Sequence, residues 1–203
     1  MNKQYAKENV CETYNKISNW FHKHRSLDLS EKPYLDQIVS LIKKNNRILD
    51  LGCGTGKPIA EYLIKNGFEV TGVDASEKQI ALASKELPNM KCIYQDMRSI
   101  SLNEKFNCII AWHSFFHLNK SDQRSMFKVF EDHITSNGIL VFTSGTAEGE
   151  IYSDNGGEIL YHASLSQAEY KKLLHKHNFE LLSLNVEDPN CGYATIWLAK
   201  YKN

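Results

Sequence analysis

The sequence of 203 residues lacks net charge, because 24 lysines and arginines balance 24 aspartates and glutamates. A neutral total provides no broad basic surface for a nucleic acid backbone and argues against nucleic acid as the partner, although it leaves room for a local patch. Residues 1–9 contain no apolar signal core, and no apolar run approaches the length of a membrane span. We therefore expect a cytoplasmic protein with no membrane span.

The sequence also lacks any pairing of cysteines that would indicate a disulfide framework or a zinc site. Its five cysteines are odd in number and far apart, and none forms a C-x-x-C pair. Cys53, Cys92 and Cys108 lie in or beside apolar stretches, where a thiol usually packs as a small hydrophobic group. We expect a reduced compartment and no metal.

An alternation of strand and helix patterns follows residue 46 and predicts an α/β sheet with helices on both faces. The length and the apolar fraction of 42% suit one domain, residues 1–203. We predict seven strands, at residues 47–51, 69–73, 91–94, 106–111, 138–143, 179–186 and 193–200. The last two are joined by so short a turn that they must run antiparallel, whereas the others are parallel. The predicted fold is thus a doubly wound, mostly parallel sheet with a C-terminal antiparallel hairpin.

Two helices are predicted before the first strand. The first covers residues 5–23, and the second is capped by Ser30 with Pro33 in its first turn. Later helices are predicted to begin near Lys57, at Ser76, at Ser121 and after Ser166. Residues 144–166 are glycine-rich, and we interpret them as a long irregular loop with a functional role.

The most informative motif is RILDLGCGTGK at residues 47–57, followed by VTGVD at residues 70–74. A buried strand, a glycine turn and a second strand ending on an acid form a nucleoside site in α/β sheets, with the acid on the ribose. Dinucleotide sites use G-x-G-x-x-G, which would require glycine where Lys57 stands, whereas this spacing is G-x-G-x-G. The alternative is that the glycines only form a tight turn.

With the preceding Leu-Asp-Leu, this spacing resembles motif I of the class I S-adenosylmethionine-dependent methyltransferases. The resemblance covers nearly the whole chain and implies a Rossmann-like core at residues 46–203 under an N-terminal helical lid, residues 1–45. It implies that Asp74 binds the ribose, that Asp96 accepts from the adenine amino group and that Met97 packs on the ring. The remaining motif positions assigned to the cofactor are Asp50, Gly52, Gly54, Gly56, Ala75 and Ala111. Asp50 has the alternative role of orienting the glycine loop.

The segment AWHSFFHL at residues 111–118 lies where the resembling family brings the methyl donor to its acceptor. It lacks the Asn/Asp-Pro-Pro-Tyr/Phe pattern of enzymes that methylate base amino groups. Trp112 and Phe116 would form an apolar wall beside a sulfonium cation, or else pack in the core. His113 and His117 are candidate general bases, His117 being preferred by the resemblance, with a structural hydrogen bond as the alternative.

Two further pairs complete the predicted site. The resemblance places Trp20 and Arg25 near the methionine carboxylate, for which an arginine fork is suited, although both would also fit an exposed helix face. Tyr161 and His162, in the loop at residues 144–166, are assigned to the acceptor pocket, with an interface loop as the alternative. Together these residues predict methyl transfer from S-adenosylmethionine to an O or N atom of a small molecule. The rival hypotheses are a cofactor-binding module without catalysis and an NAD-dependent dehydrogenase.

Overall fold

The computed structural model describes residues 3–203. Its helices are α1 (Lys3–Glu8), α2 (Val10–His24), α3 (Lys32–Leu41), α4 (Ile59–Lys65), α5 (Glu77–Glu86), α6 (Lys120–His133) and α7 (Gln167–Lys176). Its strands are β1 (Arg47–Leu51), β2 (Glu69–Asp74), β3 (Lys91–Tyr94), β4 (Phe106–Ala111), β5 (Ile134–Ser144), β6 (Gly149–Asn155), β7 (Glu158–Ser164), β8 (Phe179–Asp188) and β9 (Ala194–Tyr201).

The central sheet has the strand order β3-β2-β1-β4-β5-β9-β8. Strands β1 to β5 are parallel, and β9 runs antiparallel to both β5 and β8. The predicted mostly parallel sheet with a terminal antiparallel hairpin is therefore confirmed. From β1 the chain moves outward through β2 and β3 and then returns to β4 on the other side of β1. Such a reversal opens a crevice at the carboxyl ends of the strands, where ligands bind in doubly wound sheets.

Each face of the sheet is covered by its own hydrophobic cluster. Ile48 and Cys108 contribute to the cluster under α3, α4 and α5, whereas Leu49 and Ile109 contribute to the cluster under α6 and α7. Successive strand residues point to opposite faces, so a strand buried on both sides needs a continuous apolar run. Because β1 and β4 are mostly apolar, both strands could be predicted from the sequence.

The N-terminal segment differs in detail from the prediction. The helix expected at residues 5–23 is divided at Asn9 into α1 and α2. Helix α3 begins after Glu31, with no side-chain capping bond from Ser30. The expected caps of α5 and α7 are confirmed, since the hydroxyls of Ser76 and Ser166 accept hydrogen bonds from the backbone three residues on.

The expectation of an irregular loop at residues 144–166 is wrong. Strands β6 and β7 pair antiparallel from Gly149 opposite Ser164 to Asn155 opposite Glu158, and Gly156 and Gly157 form the two-residue turn with φ of 62° and 83°. Two glycines with positive φ are typical of the tight turns that match strand twist. The Gly-Gly pair was therefore the overlooked signal for a hairpin.

Among residues 3–203, no helix is both long and apolar enough to cross a membrane.

Candidate active site

A cavity of about 410 Å³ opens at the carboxyl ends of β1, β2 and β4. Its walls are the glycine loop after β1, the end of β2, the turn after β3 and the segment after β4, and α2 and the β6–β7 hairpin close the other side. A volume of this size is in the range of small-ligand sites. Its position at the strand-order reversal agrees with the crevice expected from the topology.

The glycine loop approaches the cavity through two residues with different constraints. Gly52 and Gly54 have φ of +72° and +56°, which favours glycine at both. A Cβ on Gly52 would lie 2.2 Å from the Cβ of Ser114, so this glycine lets the loop pack against the segment after β4. A Cβ on Gly54 would meet no atom within 4 Å. The space beside Gly54 is therefore open to a ligand.

Asp74 is held at the end of β2 by two backbone donors. Its Oδ2 accepts from the Gly54 N–H at 2.8 Å, and its Oδ1 accepts from the Ser76 N–H at 2.8 Å. Burial raises the pKa of Asp74, while these hydrogen bonds oppose the rise. Each carboxylate oxygen has a second lone pair, so Asp74 can also accept hydrogen bonds from a ligand diol.

Gln79 borders the cavity on the first turn of α5 and is only 1% exposed. Neither its Nε2 nor its Oε1 has a hydrogen-bond partner. Buried polar groups are nearly always paired, so an unpaired amide beside a cavity requires an explanation. The sequence alone did not identify Gln79 as a site residue.

Asp96 and Met97 border the cavity where the chain leaves β3. The Asp96 carboxylate accepts from the backbone N–H of Arg98 at 2.9 Å and from its guanidinium, which also donates to Asp122 at 2.7 Å. Burial alone would raise the pKa of Asp96, but the hydrogen bonds from Arg98 outweigh burial and lower it. Each carboxylate oxygen has two such contacts, because the Nε of Arg98 lies 3.0 Å from both, so Arg98 already uses the roughly four acceptor positions of Asp96.

Arg25 interacts electrostatically with the buried Asp50. Asp50 is 4% exposed and does not border the cavity. The pKa of Asp50 is raised to about 7, mainly by burial. The positive charge of Arg25 opposes this rise, and the negative charge of Asp74 adds to it. Arg25 follows α2 and borders the cavity, with its guanidinium 5.7 Å from the centre of the Phe21 ring. Within residues 3–203 it has no carboxylate within ion-pair distance.

His117 is buried with both ring nitrogens engaged. Its Nδ1 lies 2.8 Å from the carbonyl oxygen of Tyr161, and its Nε2 lies 2.9 Å from the hydroxyl of Tyr14. A carbonyl can only accept, so Nδ1 carries the proton and Nε2 accepts the hydroxyl proton of Tyr14. Burial lowers the pKa of His117 to about 3, and the neighbouring His162 lowers it further. The imidazole is therefore neutral at physiological pH.

His113 differs from His117 in having no hydrogen bond to its ring in the described part of the chain. Its backbone is left-handed, with φ of 51°, and its N–H donates to the Thr143 hydroxyl at 2.9 Å. A non-glycine residue in this region is strained, and such residues cluster at functional sites. The ring borders the cavity, where the surrounding protein and then the charge of Arg25 lower its pKa to about 4. His113 thus presents a neutral imidazole to the cavity.

Aromatic rings form the wall between these histidines and the hairpin. The rings of Phe116 and His162 are 5.2 Å apart, and those of His117 and His162 are 4.7 Å apart. Trp112 is buried beside the cavity, and its indole N–H has no partner. Phe115 packs away from the cavity among core aromatic rings.

Among residues 3–203, no group of three or more histidine, cysteine, aspartate or glutamate residues is arranged to hold a metal ion.

Comparisons with known proteins agree with the geometry. A family model described as a methyltransferase domain matches residues 48–138. A protein of Geobacillus sp. (strain WCH70) that is named a methyltransferase is 29% identical over 171 residues, which cover 73% of this chain and 67% of the relative. The malonyl-acyl-carrier-protein O-methyltransferase of Bacillus cereus is 31% identical over 126 residues, which cover 56% of this chain and 45% of the relative.

A solved structure extends the similarity to the whole fold. The 1,6-didemethyltoxoflavin-N1-methyltransferase of Burkholderia thailandensis superposes with a TM-score of 0.73 at 14% identity, covering 98% of this chain and 91% of that one. The matched domain and the shared fold together support a class I S-adenosylmethionine-dependent methyltransferase. The chain spans 67% and 45% of the lengths of the Geobacillus and Bacillus relatives.

Most of the residues predicted for the site border the cavity of this methyltransferase. They are His113, His117, Arg25, Gly52, Gly54, Asp74, Ala75, Asp96, Met97, Trp112, Phe116 and His162. Asp50, Gly56, Ala111 and Tyr161 do not. Gly56 faces the core, where a Cβ would lie 2.7 Å from Leu87, and Ala111 and Tyr161 are fully buried. Tyr161 contributes instead through its backbone carbonyl, which fixes His117.

The assignment of Trp20 to the cofactor site is corrected by the structure. Trp20 is 39% exposed, stacks on His24 and covers Gly156 at the hairpin turn, outside the cavity. The face of α2 that borders the cavity carries Tyr14, Phe21 and Arg25, and Trp20 lies about 100° around the helix from Phe21. The sequence alone did not identify Tyr14 and Phe21 as residues of the site.

Proposed function

We propose that this methyltransferase moves the methyl group of S-adenosylmethionine to an oxygen or nitrogen atom of a small molecule. The observation that carries the proposal is the arrangement of Asp74. Its carboxylate is fixed by backbone donors from Gly54 and Ser76, beside the open space at Gly54. An acid oriented in this way at the end of the second strand is suited to a ribose diol.

The residues around Asp74 fit the remaining parts of the cofactor. The unpaired amide of Gln79 would gain partners from a ribose hydroxyl, which accounts for its burial without a protein partner. Asp96 would take the adenine amino group in exchange for one of its contacts with Arg98, and Met97 would pack on the ring. Arg25 would bind the methionine carboxylate, since its guanidinium borders the cavity and has no ion-pair partner in the described chain.

The chemistry requires little more than alignment from the protein. S-adenosylmethionine supplies a methyl group made electrophilic by the adjacent sulfonium. In-line displacement depends mainly on holding the acceptor atom close and in line. We assign the hydrogen bond to the acceptor to His113 rather than His117, because the ring of His113 has no protein partner while both nitrogens of His117 are engaged. A neutral imidazole can accept a proton from the acceptor, although its low pKa makes it a weak base.

A small acceptor suits the closed side of the cavity. The hairpin places Leu160 and His162, and α2 places Phe21, over the space next to Trp112 and Phe116. We propose that residues 1–45 and the hairpin together shape the acceptor pocket and exclude water. The named relatives differ in acceptor, since one is named for malonyl-acyl-carrier protein and another for a didemethyltoxoflavin.

Calorimetry with S-adenosylmethionine, S-adenosylhomocysteine and NAD tests the cofactor assignment. We expect both adenosyl ligands to bind and NAD to be rejected, because Lys57 replaces the third dinucleotide glycine and pairs with Glu86 at 2.7 Å. Binding of NAD alone would contradict the proposal.

Release of S-adenosylhomocysteine should then be measured across oxygen, nitrogen and thiol acceptors. Silence across all three classes would favour a binding module without catalysis.

A further inference from the structure

Glu31 is a buried acid that takes no part in the reaction proposed above. It is 9% exposed, borders the cavity and directly precedes α3. Within residues 3–203 its carboxylate has no cation at ion-pair distance and no hydrogen-bond partner, and it does not cap the helix that follows. Burying a charge is costly unless the charge is paired, so an unpaired carboxylate that borders a cavity points to a partner inside that cavity.

The contacts of Tyr34 show which end of the cavity Glu31 borders. Tyr34 lies in the first turn of α3, its ring packs against Trp112 with centroids 5.8 Å apart, and its hydroxyl donates to Asp188 at 2.6 Å. Trp112 follows β4 and Asp188 ends β8, whereas Asp74 ends β2, on the other side of β1 in the sheet. The start of α3 therefore lies towards β8, away from the side assigned to the ribose.

The surroundings of Glu31 favour a positively charged ligand. Trp112 borders the same cavity and is held beside the first turn of α3 by its contact with Tyr34. Organic cations bind where a carboxylate adjoins an aromatic ring, because the carboxylate supplies charged hydrogen bonds and the ring supplies cation–π attraction. Arg25 also borders the cavity and would repel a cation. The methionine carboxylate assigned to Arg25 would neutralise that charge once the cofactor is bound.

We infer that Glu31 binds an ammonium group of the methyl acceptor, so that the acceptor is a small molecule carrying an amine besides the atom that is methylated. The inference rests on the proposed function, because it uses the assignments of Arg25 to the methionine carboxylate and of His113 to the acceptor. His113 directly follows Trp112 in the chain, and both border the cavity. Holding the ammonium at Glu31 fixes one end of the acceptor and leaves its reacting atom beside His113, which provides the alignment that methyl transfer requires.

Binding of three similar probes to the protein saturated with S-adenosylhomocysteine tests the preferred charge. Benzylamine is a cation at neutral pH, benzyl alcohol is neutral and benzoate is an anion, while all three carry the same ring. In NMR titrations, benzylamine should bind about tenfold more tightly than benzyl alcohol, and benzoate should bind most weakly. Equal affinities, tighter binding of benzoate or no binding of benzylamine would overturn the inference. Failure of the unaltered protein to bind S-adenosylhomocysteine would instead overturn the proposed function.

Substitution of Glu31 tests whether this residue is the source of the preference. Glu31→Gln keeps the shape and removes the charge, so benzylamine should bind about tenfold more weakly, with an affinity close to that of benzyl alcohol. Glu8→Gln is the matched control, because Glu8 borders the same cavity but is exposed, and it should leave the preference unchanged.

The same variant separates the acceptor from the cofactor. Glu31→Gln should bind S-adenosylhomocysteine as tightly as the unaltered protein does. If Glu31→Gln weakened S-adenosylhomocysteine but not 5′-methylthioadenosine, which lacks the amino acid part, Glu31 would bind the methionine ammonium and the inference would be refuted. A full preference for benzylamine in Glu31→Gln would refute it as well.

Discussion

Replacing Asp50 with asparagine should make the protein more stable at alkaline pH. Asp50 is 4% exposed in β1, and burial raises its pKa from 3.8 to about 7. Because the folded pKa lies above the unfolded one, the protonated carboxyl stabilises the fold, and this contribution is lost as the pH rises from about 4 to 7. The difference between 3.8 and about 7 amounts to about 4 kcal/mol at about 1.4 kcal/mol per pH unit. Roughly 2.5 kcal/mol of this is lost between pH 5 and pH 8.

Urea unfolding of the two proteins at pH 5 and pH 8 measures this contribution. Asparagine has nearly the same shape and no charge, so the pH dependence of all other groups cancels when the variant is compared with the unaltered protein. The stability gained by Asp50→Asn should be about 2.5 kcal/mol larger at pH 8 than at pH 5. If Asp50→Asn changed the free energy of unfolding by the same amount at pH 5 and at pH 8, the pKa of Asp50 would not be raised, and the argument from burial would be refuted.

Three other predictions concern the cofactor site. Asp74→Ala should lower the affinity for S-adenosylhomocysteine by about 1–3 kcal/mol in calorimetry, through lost charged hydrogen bonds; unchanged affinity would refute the ribose assignment. Arg25→Ala should weaken S-adenosylmethionine about tenfold and leave 5′-methylthioadenosine, which lacks the carboxylate, unaffected. Gly52→Ala should lower the free energy of unfolding by about 2–4 kcal/mol because its Cβ would lie 2.2 Å from the Cβ of Ser114; Gly54→Ala, which meets no atom within 4 Å, should cost only about 1 kcal/mol.

The sheet and the glycine loop could be predicted because each is encoded by neighbouring residues. The strands β1 and β4 are mostly apolar, and the turn at Gly52 and Gly54 requires positive φ within a few residues. The hairpin at residues 149–164 was missed although its Gly-Gly turn is also local, since the glycines were read as a sign of irregular chain. That error was one of interpretation rather than of missing information.

The orientation of the histidines could not be predicted, because their partners are distant in sequence. His117 is fixed by Tyr14, 103 residues earlier, and by the Tyr161 carbonyl, 44 residues later. Nothing near His117 in the sequence indicates that both of its nitrogens are engaged. In the same way, only the packing of α2 decides that Tyr14 borders the cavity and Trp20 does not.

The position of Trp20 gives the protein an internal optical reporter. Of the three tryptophans in the chain, Trp197 is buried in the core and Trp112 is buried beside the cavity, whereas Trp20 contacts the hairpin turn at Gly156 from α2. Any separation of α2 from the hairpin would transfer this indole from a protein contact into water. Its emission would then shift to longer wavelength, so separation of α2 from the hairpin could be followed in real time without attaching a label.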